Sequence, residues 1–431
     1  MEAQERPKTI EGYYFTGVLK SQKQIIFERQ ITGIRSNSSG RRTVARKIKT
    51  DDKDDNLETV TMTSESTSLG DREDTLLDDV LHVPLEDEKL DNLTVKLDTV
   101  DIQKKLYRRE CDKLGVIPIG VYMRNPVQTH LILKHYSMGP DGAKALAIPL
   151  MLDSSIVKLD LEGNDINASG MAAMAEMLAE SVTIKELNLS RNNLGHRGAL
   201  SIKSLLRKNR LIDTLFLSGN GFTDIDATTF ADIIKDSKTL KKLILSHNGF
   251  GDDSGTIFGN ALNVNENMEY LDLSWNKLRG RSAAELCLSL KENIGLKYFN
   301  IAYNGCGKHG AAAIAMVLGV NTTLRELDLT DNRLTDVDVL AVIQELSKNE
   351  TLKILRIGEN LITGKGCLNI LKLFLKAENS VLEILDLKNT NVTKEFLEEM
   401  KMLPSIRTPS PVILHGSCPS AKQISLYTCT S

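Results

Sequence analysis

The chain has 431 residues, 41% hydrophobic and 26% charged, which is enough apolar material for a substantial core. A formal net charge of -3 gives no overall reason to expect a nucleic acid or an anionic membrane as partner. The six cysteines are scattered and form no C-x-x-C pair, which excludes a disulfide framework and favours reduced thiols in a cytoplasmic, or alternatively nuclear, protein.

The opening "MEAQERPKTIEGYYF" lacks a charged-then-apolar leader, and no apolar run approaches the roughly 18 residues that a membrane span needs. Residues 1–103 read as mostly disordered: polar, rich in Ser and Thr, and segregated in charge. Residues 1–50 carry 11 basic and 4 acidic side chains, and residues 51–103 carry 4 and 17. Within them "YYFTGVLKSQKQIIFERQITGI" has the spacing of a short helix or strand. The basic group Arg41, Arg42, Arg46, Lys47 and Lys49 reads as solvated or loosely paired with the acidic stretch. "LTVKLDTVDIQKKLYRREC" has helical apolar spacing, and 104–127 is taken as an N-terminal cap. Residues 128–403 are a repeat array, and 404–431, with "RTPSPVILHGSCPSAKQ", are expected to be a flexible tail.

The repeat is unmistakable. "IKELNLSRNNL", "MEYLDLSWNKL" and "LRELDLTDNRL" are one phrase, and its asparagines fall every 28 residues at Asn164, Asn192, Asn220, Asn248, Asn276, Asn304, Asn332 and Asn360. A further copy from Leu382 is offset by two and puts Thr390 in the asparagine slot, and a degenerate copy precedes the series with Tyr136 there. In L-x-L the alternating side chains of a short strand send leucines inward and the middle residue outward. The asparagine amide can both donate and accept where the chain turns, so one per repeat makes a ladder. The second half of each unit, such as "ASGMAAMAEMLAES", has helical spacing. Strands sit about 4.8 Å apart, whereas helices need roughly 8–10 Å. The array must therefore curve. The expected fold is an α/β solenoid (horseshoe) of about ten 28-residue strand-turn-helix repeats, with a parallel concave sheet and convex helices.

The phrase L-x-x-L-x-L-x-x-N-x-L at this period resembles the leucine-rich repeat of the ribonuclease-inhibitor-like class, which also includes the arrays of Ran GTPase-activating proteins and NOD-like receptors. "YRRECDKLGVIPIGVYMRN" followed by "LILKHYSMGPDGAKALAIPLM" is similar to the N-terminal cap of the leucine-rich repeat-containing protein 74 family. These resemblances imply a protein-binding solenoid and little more. The full NOD-like architecture is not expected, because no nucleotide-binding domain precedes the repeats, and the low cysteine content argues against ribonuclease-inhibitor behaviour.

No catalytic, cofactor-binding or metal-binding constellation stands out, so the chain is read as non-enzymatic. "GENLITGKG" and "NGCGKHGAAA" mimic phosphate loops but occupy ordinary repeat turns, and the first lacks the Ser/Thr after its Gly-Lys pair. Cys287, Cys306 and Cys367 read as small core hydrophobes. The outward positions of the middle strands carry Phe216, Ile244, His247, Tyr270, Trp275, Tyr298 and Tyr303, with Asp272, Glu326, Asp328 and Asp331 in or beside them. Exposed aromatics rimmed by charge suit a protein partner; the plainer reading is cross-strand packing of the sheet. The expectation is a monomeric scaffold that binds a protein through its concave face. Alternatives are a regulator of a small GTPase, by analogy with Ran GTPase-activating proteins, and, more weakly, a structural subunit of a ciliary or flagellar complex.

Overall fold

A computed structural model describes residues 99–126, 128–406 and 410–418. The expected disordered region therefore lies outside the described residues apart from 99–103, as do the basic group at 41–49, the TPSP motif at 408–411 apart from its last two residues, and Cys429.

The repeats build one parallel, eleven-stranded sheet in sequential order. Its strands are β1 (His130–Ile132), β2 (Lys158–Asp160), β3 (Glu186–Asn188), β4 (Thr214–Phe216), β5 (Lys242–Ile244), β6 (Tyr270–Asp272), β7 (Tyr298–Asn300), β8 (Glu326–Asp328), β9 (Ile354–Arg356), β10 (Ile384–Leu387) and β11 (Val412–His415). Leu159, Leu187, Leu215, Leu243, Leu271, Phe299, Leu327 and Leu355 are paired across successive strands and fully or almost fully buried. One helix follows each strand from β1 to β10, and neighbouring helices pack on one another. Helix Asn167–Glu180 buries Met171, Met174, Met177 and Leu178, the face its spacing predicts. Each unit thus lends its apolar face to its neighbours, and the core exists only through stacking.

The asparagine ladder closes the turn after each strand from β2 to β9. The Asn192 amide nitrogen donates to the carbonyls of Leu161 (2.9 Å) and Ser190 (3.0 Å), and its Oδ1 accepts from the Asn164 backbone N–H at 3.0 Å. Asn276 donates to Leu245, Leu273 and Ser274 and accepts from the Phe250 N–H. A second ladder, not anticipated from the sequence, closes the other end of five units. Asn209, Asn265, Asn293, Asn321 and Asn349 donate to a carbonyl of the preceding helix 31 residues earlier and accept from the amides two and three residues on.

Both ends of the array differ from the sequence expectation. At the N-terminal end, helix Thr99–Leu114 begins before the assumed cap boundary and packs on helix Gly139–Met151, with Tyr107 edge-to-face on Tyr122 at 5.0 Å. At the C-terminal end, the tail expected from 404 onward is not free throughout. Helix Lys394–Ile406 crosses that boundary, and Val412–His415 adds β11 in parallel register with β10. Val412 sits 28 residues beyond its partner Ile384, so the segment is a truncated repeat whose pattern lacks the asparagine.

Asn276→Ala removes the amide bonds to the Leu245, Leu273 and Ser274 carbonyls, which keep Asn248, Asn304 and the His247 N–H as donors, and leaves the buried Phe250 N–H unpaired, which should cost on the order of 2 kcal/mol. Asn293→Ala should cost a similar amount through the second ladder. Urea unfolding measures both. A loss below about 1 kcal/mol for either would show that water replaces the amide without penalty.

Candidate functional site on the concave sheet

Strand register puts the outward side chains into columns. One runs Thr214, Lys242, Tyr270, Tyr298, Glu326 and Ile354; the next runs Phe216, Ile244, Asp272, Asn300, Asp328 and Arg356. A third column, immediately before the ladder asparagines, has a common backbone state. His135, Gly163, Arg191, Gly219, His247, Trp275, Tyr303, Asp331 and Glu359 all have φ between 46° and 68°. The backbone N–H of each still donates to the next repeat, as from Trp275 to the Ala302 carbonyl at 2.9 Å. The left-handed conformation then swings the following asparagine inward. Glycine adopts it freely, while other residues are strained by roughly 1–2 kcal/mol.

Three consecutive strained positions hold aromatic rings that stack. His247 lies 5.0 Å from Trp275 at 15°, and Trp275 lies 4.1 Å from Tyr303 at 13°. Both faces of the indole are covered, so the 49% of Trp275 that remains exposed is presented as ring edge. The Tyr303 hydroxyl donates to Glu359 Oε2 at 2.8 Å, and this bond pushes its pKa up to about 12. A second strip pairs Tyr270 with Tyr298 at 5.7 Å. Lys242 Nζ lies 4.5 Å from the Tyr270 ring centre and 5.3 Å from that of Phe216.

The expected single apolar zone is therefore resolved into two ring strips. Ile244 falls outside them because it is buried, and Phe216 is separated from the tyrosines by Lys242. The acidic residues also divide. Glu326 is ion-paired with Arg356. Asp331 is exposed. Asp272 Oδ1 and Asp328 Oδ1 accept from the backbone N–H two residues on, at 2.8 and 2.9 Å. Asn188 and Asn300 do the same at 3.0 and 2.9 Å, as do Asp160 and Asp386. This column thus has a turn-forming role that was legible in its run of Asp and Asn. Burial raises the pKa of both Asp272 and Asp328, against the hydrogen bonds that lower it.

The glycine-rich turn of "GENLITGKG" is filled from within the fold. A Cβ on Gly366 would collide with the Asp336 carboxylate, which accepts from Thr363 N and Oγ1, so the "GKG" turn faces an acid. Cys306 and Cys367 are buried, which pushes both thiols up to about 12, and burial also raises Cys287. Among the described residues no cluster of His, Cys, Asp and Glu has the grouping to hold a metal ion, and no helix is long and apolar enough to cross a membrane.

Five stretches, 153–175, 180–203, 236–256, 264–287 and 320–342, match the family model described as Leucine Rich repeat. The repeats of this chain are leucine-rich repeats. Among solved structures, an internalin of Listeria monocytogenes is 16% identical, covering 74% of this chain and 95% of that one, with a TM-score of 0.43. The actin-binding site 2 of leiomodin-1 is 23% identical over 37% of this chain and 88% of that one, with a TM-score of 0.30. The yeast Rad7 and Elc1 complex matches at 13% identity over 77% and 92%, with a TM-score of 0.35.

Asparagine at 272 or 328 keeps the oxygen that accepts from the backbone, as Asn300 does, and removes a carboxylate whose ionised form burial disfavours. A carboxyl raised above its unfolded value costs stability as pH climbs from the ordinary carboxylate range through the raised value. Asp272→Asn and Asp328→Asn should therefore raise Tm at neutral pH, and the gain should shrink toward acid pH. Thermal circular dichroism reads this directly; a Tm below wild type at neutral pH would mean that the charges stabilise the sheet.

Proposed function

We propose that this leucine-rich-repeat protein is a non-enzymatic scaffold or adaptor that holds a protein partner on the concave face of the repeats spanning 212–334. The observation that carries the reading is the aromatic stack at left-handed positions. Gly163 and Gly219 occupy the same position without strain. Each stacked pair returns about 0.5–1.5 kcal/mol, much the same as the backbone strain each ring incurs. Internal packing therefore does little more than break even, while an indole edge is left in solvent beside charge, the composition of a binding centre. The 28-residue period and the cap sequence support placing the array in the ribonuclease-inhibitor-like class, near the leucine-rich repeat-containing protein 74 family. Free buried thiols suit a cytoplasmic location, and the protein is taken to act as a monomer.

The test uses Trp275→Gly with Tyr303→Gly, substitutions that the fold itself employs at this position. Circular dichroism is expected to show a folded array with stability within about 2 kcal/mol of wild type. Affinity capture from lysate with the full chain is expected to lose its specific partners. An unchanged partner set would return the rings to a purely structural role.

A further inference from the structure

The carboxylates beside the aromatic strip carry a charge that the fold does not require. Asn188 and Asn300 perform the backbone task of Asp272 and Asp328 without one. At the N-terminal end of the same sheet the acids are matched: Lys134 lies 3.1 Å from Asp160 and 2.9 Å from Glu162, and Lys158 lies 2.7 Å from Glu186. Among the described residues no Lys, Arg or His comes within ion-pair distance of Asp272, Asp328 or Asp331. Arg356, paired with Asp328 in the strand register, is ion-paired with Glu326 and offsets the Asp328 charge only in part. Negative charge in excess of the cations placed to meet it is thus left on the half of the concave face that holds the rings.

We propose that the concave face takes a basic segment of its partner, with an arginine side chain lying over Asn300 between Asp272 and Asp328. This rests on the binding role proposed above and names the chemistry of the partner. Asp272, Asn300 and Asp328 are paired across three adjacent strands, so the two carboxylates stand roughly 10 Å apart. A planar guanidinium with donors on both sides bridges such a span, whereas the compact ammonium of lysine reaches one acid at a time. Asn300 supplies a short, neutral floor. Tyr270 and Tyr298 flank it along the same strands, and Trp275 and Tyr303 lie toward the turns, giving apolar contact to the stem of the incoming side chain. Burial raises the pKa of both acids, with no cation of the protein placed to oppose it fully; a bound guanidinium would supply that partner.

Trp275 is the only tryptophan, so its emission reports binding at this site rather than at the acidic residues of 51–103. The full chain is titrated with an oligoarginine peptide, an oligocitrulline of the same length and an oligoglutamate. Oligoarginine is expected to change the Trp275 emission saturably, and the neutral and acidic peptides are not. The variant carrying Asp272→Asn and Asp328→Asn, checked for folding, is expected to bind oligoarginine at least about tenfold more weakly, roughly 1.4 kcal/mol. Asp331→Asn, on an exposed side chain without a backbone role, is expected to weaken it less and provides a control independent of turn structure. Equal binding of citrulline, a response to oligoglutamate, or no loss in the double variant would overturn the inference. If any of these occurs while partner capture still depends on Trp275, the basic chemistry fails and the binding face stands.

Discussion

Everything in this array depends on turning an asparagine inward after each strand from β2 to β9. The turn forces a left-handed residue just before it, and the inward amide then satisfies carbonyls of two neighbouring repeats. Leucine burial supplies most of the driving force, but leucines alone do not fix a register. The ladder does, because each amide must meet backbone groups of the adjoining unit. A matching row at the helix-to-strand side, Asn209 and Asn265 through Asn349, fastens the other end. The strained position is thus a by-product of the fold, available to any side chain that can bear it, and it lies on the open concave surface.

The parts of this design that follow a strict period were legible in the sequence. The first asparagine series, the L-x-L strands and the helical second halves all lie where their spacing places them. The second ladder has the same period and was still missed, because Asp153, Ser181 and Ser237 interrupt it with other capping groups; Ser237 Oγ accepts from the Leu240 N–H at 3.0 Å in the place of an amide. The strand Val412–His415 was hidden for a different reason: Cys418 occupies the asparagine slot, so the phrase never completes. Backbone strain was not legible at all. Nothing about a tryptophan in a sequence announces a φ of 53°; only the column of residues sharing that conformation shows it.

Charge on the concave face was legible in number but not in kind. A sum over acidic residues treats Asp272, Glu326, Asp328 and Asp331 alike. The structure separates an ion-paired glutamate, two half-buried turn-forming aspartates and one exposed aspartate. The distinction matters because paired acids leave little field, whereas half-buried acids outside ion pairs are less screened by water than fully exposed ones. The same separation assigns Lys242 to the tyrosine strip through its rings and not through a carboxylate.

The measurement that bears most directly on this account is quenching of Trp275 fluorescence in the unliganded full chain by caesium and by iodide, each scaled to its action on a free tryptophan amide. An indole edge exposed within a net negative field should be quenched well by caesium and poorly by iodide. Equal or stronger quenching by iodide would remove the negative field, and failure of both ions would mean that the indole edge does not face solvent.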